Sequence, residues 1–296
     1  MPSPSEIAWL IPVFPLLGAA FVSVLLVSFS LTMNRLSKPV ALLLTSCIGI
    51  STVLSYSLLA DQLSTHRGFT DFLFDTGDLL APGLSIGTQI DLVSSFMLAL
   101  VSTISILLMV FSHVYMSRKQ GYVRFFVFLA LFSSSLMSLL LSPGLIQVFL
   151  FWVLLGVFAL LLSGFSQQKD AANGQQRMPF FAELTSDTLF LVAIISLFKV
   201  TGSFGFDENI NTLQAIVASG SLTALSLLLP CALIFLSLIA KLSILPLSVF
   251  RVGGKMAIPS TSGVIQSLML VSAIVFLSWR IEPLVVVASQ TLNQTS

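Results

Sequence analysis

Apolar residues run in long blocks along this chain, separated by short polar segments, and block length decides what each can be. A stretch of about 18 or more apolar residues is long enough to cross the hydrocarbon core as a helix. Eight such stretches are read, over roughly 7–31, 39–61, 92–116, 123–142, 144–166, 181–201, 223–250 and 258–280. Pro143 and Gly144 leave almost no room between the fourth and fifth, which predicts a tight helical hairpin. In the segment Asp61 to Asp91, apolar positions alternate around glycine and proline in GDLLAPGLSIGTQID, which predicts a short external β-hairpin closing over helix ends. From Ser203 to Leu222, Ile210, Leu213, Ile216 and Val217 recur at helical spacing. That pattern predicts a short amphipathic helix lying at the membrane interface. The N-terminal MPSPSEIAW lacks a basic region, carries Glu6 and leads into an apolar block too long for a signal-peptide core, so the first block reads as an uncleaved span.

Composition agrees with this pattern. Of 296 residues, 56% are hydrophobic and only 8% charged, against about 25% charged in soluble domains. The class is an all-α membrane protein. A net charge of +1 argues against a nucleic-acid partner. Cys47 and Cys231 lie in apolar blocks with no metal or disulfide spacing, and read as small core residues. His66 and His113 fall on opposite sides of the expected topology. The sequence shows no phosphate loop, no paired cysteines for a cluster or haem and no histidine group, so no cofactor, metal or catalytic residue is assigned.

Basic residues set the orientation. With the N-terminus outside, Arg35, Lys38, Arg118, Lys119, Arg124, Lys169, Arg177, Arg251 and Lys255 fall inside, and Arg67, Lys199 and Arg280 outside, nine against three. Asp71, Asp75, Asp78, Asp207 and Glu208 fall outside as well, and so do both termini. A cysteine introduced at Gly174 is therefore expected to react with an impermeant thiol reagent only from the inner side, and one at Gly77 only from the outer side. Reaction of both from one side would refute the span count.

One ammonium group stands out. Lys241 lies within the seventh apolar block, five residues before Pro246. A charge at mid-membrane is unfavourable by roughly 2.5–3.5 kcal/mol on insertion scales, so Lys241 is expected to face protein or water. Pro246 has no N–H to offer the Leu242 carbonyl, which predicts a kinked or broken helix near Lys241–Pro246. A lysine beside a helix break is a candidate ion site; a lysine that only binds the freed carbonyls is the simpler alternative. Glu183 and Asp187 are four residues apart and share a helix face. Asp187, about one turn into the membrane, can pair with Lys169 or Arg177 or take up protons.

From Gln120 to Gly164 the chain reads QGYVRFFVFLALFSSSLMSLLLSPGLIQVFLFWVLLGVFALLLSG. This resembles the antiporter-like chain 5 of proton-pumping NAD(P)H-quinone oxidoreductase (complex I), in its cyanobacterial and plastid form, where a G-Y-x-R-F-F opening precedes an F-W-E-L-x-G core. The resemblance continues through IDLVSSFML, TGSFGFDE, AKLSILPLSVF and GVIQSLMLVSAIVFLSWRIEPL, and so spans nearly the whole chain. It implies the N-terminal half of an antiporter-like subunit, with a three-helix segment and hairpin over residues 1–116 and a five-helix repeat over 117–296. It also implies proton-pathway positions at Lys241, Asp187 and Gln266, the last where the family has histidine. The family's intramembrane glutamate falls on Val153, the arginine beside its aspartate falls on Leu184, and the acids after its broken helix fall on Gly253 and Met256, with Lys255 between them.

Two expectations follow from these departures. With Val153 in the acid position, Lys241 is expected to lack its acidic partner. With the chain ending at Ser296, the second inverted repeat is expected to be absent. The resemblance thus implies a shortened, degenerate accessory or paralogous membrane subunit of a photosynthetic or respiratory assembly that uses plastoquinone, not an autonomous pump and at most a non-catalytic subunit. Its partners would be other membrane subunits and lipid. Its location would be a cyanobacterial thylakoid or plasma membrane or a plastid thylakoid, with both termini lumenal or periplasmic. Two alternatives stand beside it: an ion or proton half-channel completed by a partner chain, and the membrane subunit of an inorganic-carbon uptake assembly.

Overall fold

The computed structural model describes residues 5–28, 37–65, 69–75, 85–116, 121–164, 177–219, 224–250 and 271–286. The elements are α1 (Leu10–Ser28), α2 (Ser37–Thr65), β1 (Phe69–Asp75), β2 (Ser85–Ile90), α3 (Leu92–Met116), α4 (Tyr122–Leu140), α5 (Leu145–Gly164), α6 (Arg177–Thr201), α7 (Phe206–Ser219) and α8 (Ala224–Phe250), followed by α9 over 271–286. The first six apolar blocks become α1 to α6, each long and apolar enough to cross a membrane. Gln266, Lys255, Gly174 and Gly77 lie outside the described residues.

α4 is the axis of the bundle. Nearly all its side chains are buried, including Ser133, Ser134, Ser135 and Ser138, and it packs against α1, α3 and α5, with α2 also in reach. Small hydroxylated residues let helices approach closely where apolar burial gives no drive between them. The same device joins α2 and α3, where Thr52 Oγ1 donates to the Ser102 carbonyl at 3.3 Å and the Tyr56 and Thr103 hydroxyls meet at 3.0 Å.

Prolines inside helices are repaired locally. Pro15 lies within α1 and cannot donate to the Ile11 carbonyl four residues back. The Ser51 hydroxyl of α2 donates to that carbonyl at 2.6 Å, and Ser134 of α4 donates to the Pro12 carbonyl at 2.8 Å. α8 runs as helix through Lys241 and Pro246 to Phe250, so the break expected there is absent. Spanning helices tolerate proline where surrounding protein satisfies the freed backbone group.

The expected hairpin forms as an antiparallel pair from Phe69↔Ile90 to Asp75↔Ser85, with an irregularity between Phe72 and Phe74. It is fastened to the α4–α5 turn. The Gln89 N–H donates to the Leu141 carbonyl at 2.8 Å, and the Gln147 side chain bonds both the N–H and the C=O of Gly87, at 3.0 and 2.9 Å. Leu145 N–H donates to Phe204 O at 2.9 Å, which joins that turn to the loop before α7. Gly202 turns that loop with φ 73°, a conformation that favours glycine. α7 begins with Asp207 and Glu208, acids that suit a helix N-terminus.

Two apolar clusters fill the interior. The smaller gathers Leu44, Ile48, Tyr122, Phe125 and Phe126 around α1, α2 and the start of α4. The larger holds Trp152 of α5, Phe190 of α6 and Ile234 of α8. Among the described helices α6 and α8 make the most extensive pairing, and Lys241 with its two acids lies in that seam.

Candidate functional site

Three helices converge on one amine. α8 places Lys241 with none of its surface exposed. α6 supplies Asp187, whose Oδ1 is 3.1 Å from Lys241 Nζ, and Glu183, whose Oε1 forms a close ion pair with the same nitrogen. α5 supplies the Trp152 carbonyl, which accepts from Nζ at 3.1 Å, and the Trp152 ring, whose centroid lies 4.4 Å away. One turn from the pair, Ser186 Oγ donates to the Ser237 carbonyl at 2.9 Å and fixes α6 against α8. An ammonium has three donors and no acceptor. Here the three face a carbonyl and two carboxylates.

Spacing explains why both acids reach it. Residues four apart lie one above the other on a helix, so Glu183 and Asp187 present two carboxyl groups to one side chain on α8. α5 leaves room for the first of them at Gly156. A β-carbon built on Gly156 would overlap the Glu183 carboxylate and stand 3.0 Å from Lys241 Nζ. Glu183 Oε1 is buried against the Lys241 ammonium, and Trp152 Nε1 is a buried donor without a partner. The side chains of Glu183 and Asp187 are 8% and 16% exposed, so Asp187 lies nearer the surface.

The charge count defines what the cluster can do. Two carboxylates and one ammonium carry −1 together, and the cluster is neutral when one further proton is bound. Burying unbalanced charge costs several kcal/mol per ion even after relaxation. The arrangement therefore has a place for one exchangeable proton beside a group able to pass it on.

Sequence-selected residues separate into those brought together and those that are not. Lys241 and Asp187 meet directly. Val153 is half-buried on α5, next to Trp152. The expected loss of an acidic partner is corrected, because Lys241 is paired with two acids. The loss is apparent only when α5 is considered alone; the carboxylate arrives from α6. Glu183 lies outside the positions that the resemblance implies, and its sequence signal is an acid one turn before Asp187 in an apolar block. His113 stands apart, its Nδ1 2.6 Å from the Tyr122 hydroxyl. Among the described residues no group of three His, Cys, Asp or Glu side chains has the form of a metal site.

A second charged group lies at the hairpin end. Arg280 of α9 donates from Nη1 to Asp91 Oδ2 at 2.6 Å and from Nη2 to Gln89 Oε1, and its guanidinium lies 5.2 Å from the Phe206 ring. Gln89 Nε2 in turn donates to Asp207 Oδ2 at 3.0 Å.

Comparison with known proteins gives consistent results. Residues 142–295 match the family described as NADH:quinone oxidoreductase/Mrp antiporter, TM, and residues 80–126 match that described as NADH-Ubiquinone oxidoreductase (complex I), chain 5 N-terminus. The chain is 40% identical over 280 residues to NAD(P)H-quinone oxidoreductase subunit 5, organellar chromatophore 1, of Paulinella chromatophora, covering 94% of this chain and 42% of that protein. It is 35% identical over 278 residues to NAD(P)H-quinone oxidoreductase chain 5 of a Synechocystis strain, covering 94% and 41%. Thus it spans about two-fifths of the length of these relatives. A chain of the membrane-bound sulfane sulfur reductase, an archaeal respiratory membrane complex, superposes with TM-score 0.59 at 13% identity, over 88% of this chain and 47% of that one, and so shares the fold.

Proposed function

Since the chain belongs to the NADH:quinone oxidoreductase/Mrp antiporter transmembrane family, we propose that it is an antiporter-like membrane subunit of an NAD(P)H-quinone oxidoreductase assembly in which Lys241 holds and passes on a proton. The observation that carries this reading is a fully buried amine facing two carboxylates in the seam between α6 and α8. Ionisable side chains within membrane spans are costly to keep and characteristically line ion pathways. Cyanobacterial and chloroplast relatives support a thylakoid or cyanobacterial plasma membrane, and a quinone of that membrane as the acceptor used by the assembly.

The subunit acts as a relay, not as a self-contained pump. Among the described residues, the buried charged side chains are Glu183 and Lys241, with Asp187 beside them, and Arg280, which lies apart at the hairpin end. Continuation of the path to both membrane faces falls to other membrane segments. This is the half-channel reading, and the paired Lys241 favours it over an inert accessory subunit.

The test uses a tagged chain that replaces the resident copy in its host. Purification in mild detergent should recover quinone oxidoreductase subunits, and NAD(P)H-driven acidification of vesicles should fall about a hundredfold or more in Lys241→Ala, the scale set by loss of one positioned proton-transfer group. The isolated chain in liposomes should show no flux above empty vesicles. Unchanged acidification in Lys241→Ala would overturn the relay, flux by the isolated chain would show a complete channel, and recovery with a carbonic-anhydrase-like protein would favour inorganic-carbon uptake.

A further inference from the structure

The geometry points to Glu183, carried on α6 and seated against Gly156 of α5, as the carboxylate that trades a proton with Lys241, with Asp187 one turn away on the side from which the amine is reprotonated. This inference rests on the relay reading above and names its acid.

Three observations converge on Glu183. It is the more deeply buried of the two acids, with 8% of its side chain exposed against 16% for Asp187. Its Oε1 is in ion contact with Lys241 Nζ, so a proton can pass between the two groups without rearrangement of the helices. Its place against α5 depends on Gly156, because any side chain there would overlap the carboxylate.

The exchange is balanced within the cluster. An Nζ–H bond of Lys241 breaks and an O–H bond forms on Glu183, so the ammonium becomes an amine and the carboxylate a carboxylic acid, and both charges vanish together. The amine, held against Asp187 at 3.1 Å, then takes a proton from that side or returns the first. Lys241 is thus the shared arm of two acids that lie on one helix and differ in exposure. Trp152 limits the movement of that arm, since its carbonyl holds Nζ at 3.1 Å and its ring lies alongside.

Substitutions in the assembled complex separate this inference from the relay reading. In driven vesicles, Glu183→Gln should lose most proton transfer, and Glu183→Asp, one methylene shorter, should regain part of it. Infrared difference spectra taken across a pH titration should lose a protonated-carboxyl band in Glu183→Gln and keep it in Asp187→Asn. A structural glutamate would not move that band. Full transfer in Glu183→Gln together with loss in Lys241→Ala would overturn the role of Glu183 and leave the relay standing. Full transfer in both would remove the relay itself.

The seat is tested without transfer, and so also if Glu183→Gln fails to assemble. Gly156→Ala should lower the thermal midpoint of the otherwise unaltered chain, because the new methyl displaces the carboxylate from Lys241. The same change made together with Glu183→Ala should add little, since nothing then occupies the notch. Equal losses in the two backgrounds would overturn the seating of Glu183 at Gly156.

Discussion

Lys241→Met is expected to destabilise the chain by about 3–5 kcal/mol, the range for removing one partner from a buried ion pair. Volume does not account for a loss of that size. Methionine fills much of the space of the lysine stem, and volume-conserving swaps usually cost under about 1.5 kcal/mol. The remainder is electrostatic. With the ammonium gone, Glu183 and Asp187 lie four residues apart on one face without a countercharge, and the Trp152 carbonyl loses its donor. Neutralising both acids should therefore reverse most of the effect: Lys241→Met with Glu183→Gln and Asp187→Asn should lie within about 1.5 kcal/mol of the parent. The denaturant-dependent unfolding midpoint in detergent micelles measures both. A triple variant as unstable as Lys241→Met alone would show that packing, not charge, dominates at this position.

That expectation bears on how far a sequence can be read. Blocks of apolar residues announced α1 to α6 nearly to their ends, because length and hydropathy alone decide whether a helix spans. The hairpin and α7 were legible for similar local reasons, alternation in one and helical spacing in the other. What local pattern does not carry is a partner from another helix. Comparison along α5 meets Val153 and suggests that Lys241 has lost its acid. The acid stands thirty residues later, at Glu183, and only the packing of α6 against α5 and α8 brings it to the amine. Pro246 illustrates the opposite limit: the missing N–H is certain from the sequence, but whether the helix breaks depends on what surrounds the freed carbonyl. The same logic applies at Pro15, where the carbonyl finds Ser51, forty residues distant. Hydroxyls that read as indifferent in a hydropathy profile thus fasten the bundle.

Arg280→Met should loosen the hairpin end and leave the Lys241 cluster intact. The guanidinium joins four elements at once: its own helix α9, Asp91 at the start of α3, Gln89 on β2 and, through Gln89, Asp207 on α7. A planar fork of donors suits this task, whereas the single ammonium of lysine cannot hold Asp91 and Gln89 together in the same geometry. Methionine keeps apolar packing near Phe206 and Trp279 and removes the charged bonds, each worth about 1.5–3 kcal/mol. Asp91 is 27% exposed and still caps α3 by accepting the Ser94 N–H at 2.6 Å. Water and that cap compensate part of the loss, so the cost should be near 2 kcal/mol, below that of Lys241→Met. It should appear locally, as the free energy of opening the hairpin. Two kcal/mol corresponds to about thirtyfold in an opening equilibrium, so the Gln89 amide, bonded to the Leu141 carbonyl, should exchange with deuterium about thirtyfold faster, and amides of α6 should be unaffected. Arg280→Lys should fall between the two. If Gln89 exchanges at the parent rate in Arg280→Met, the hairpin is held by Gln147 and the α4–α5 turn alone, and Arg280 serves only to neutralise Asp91.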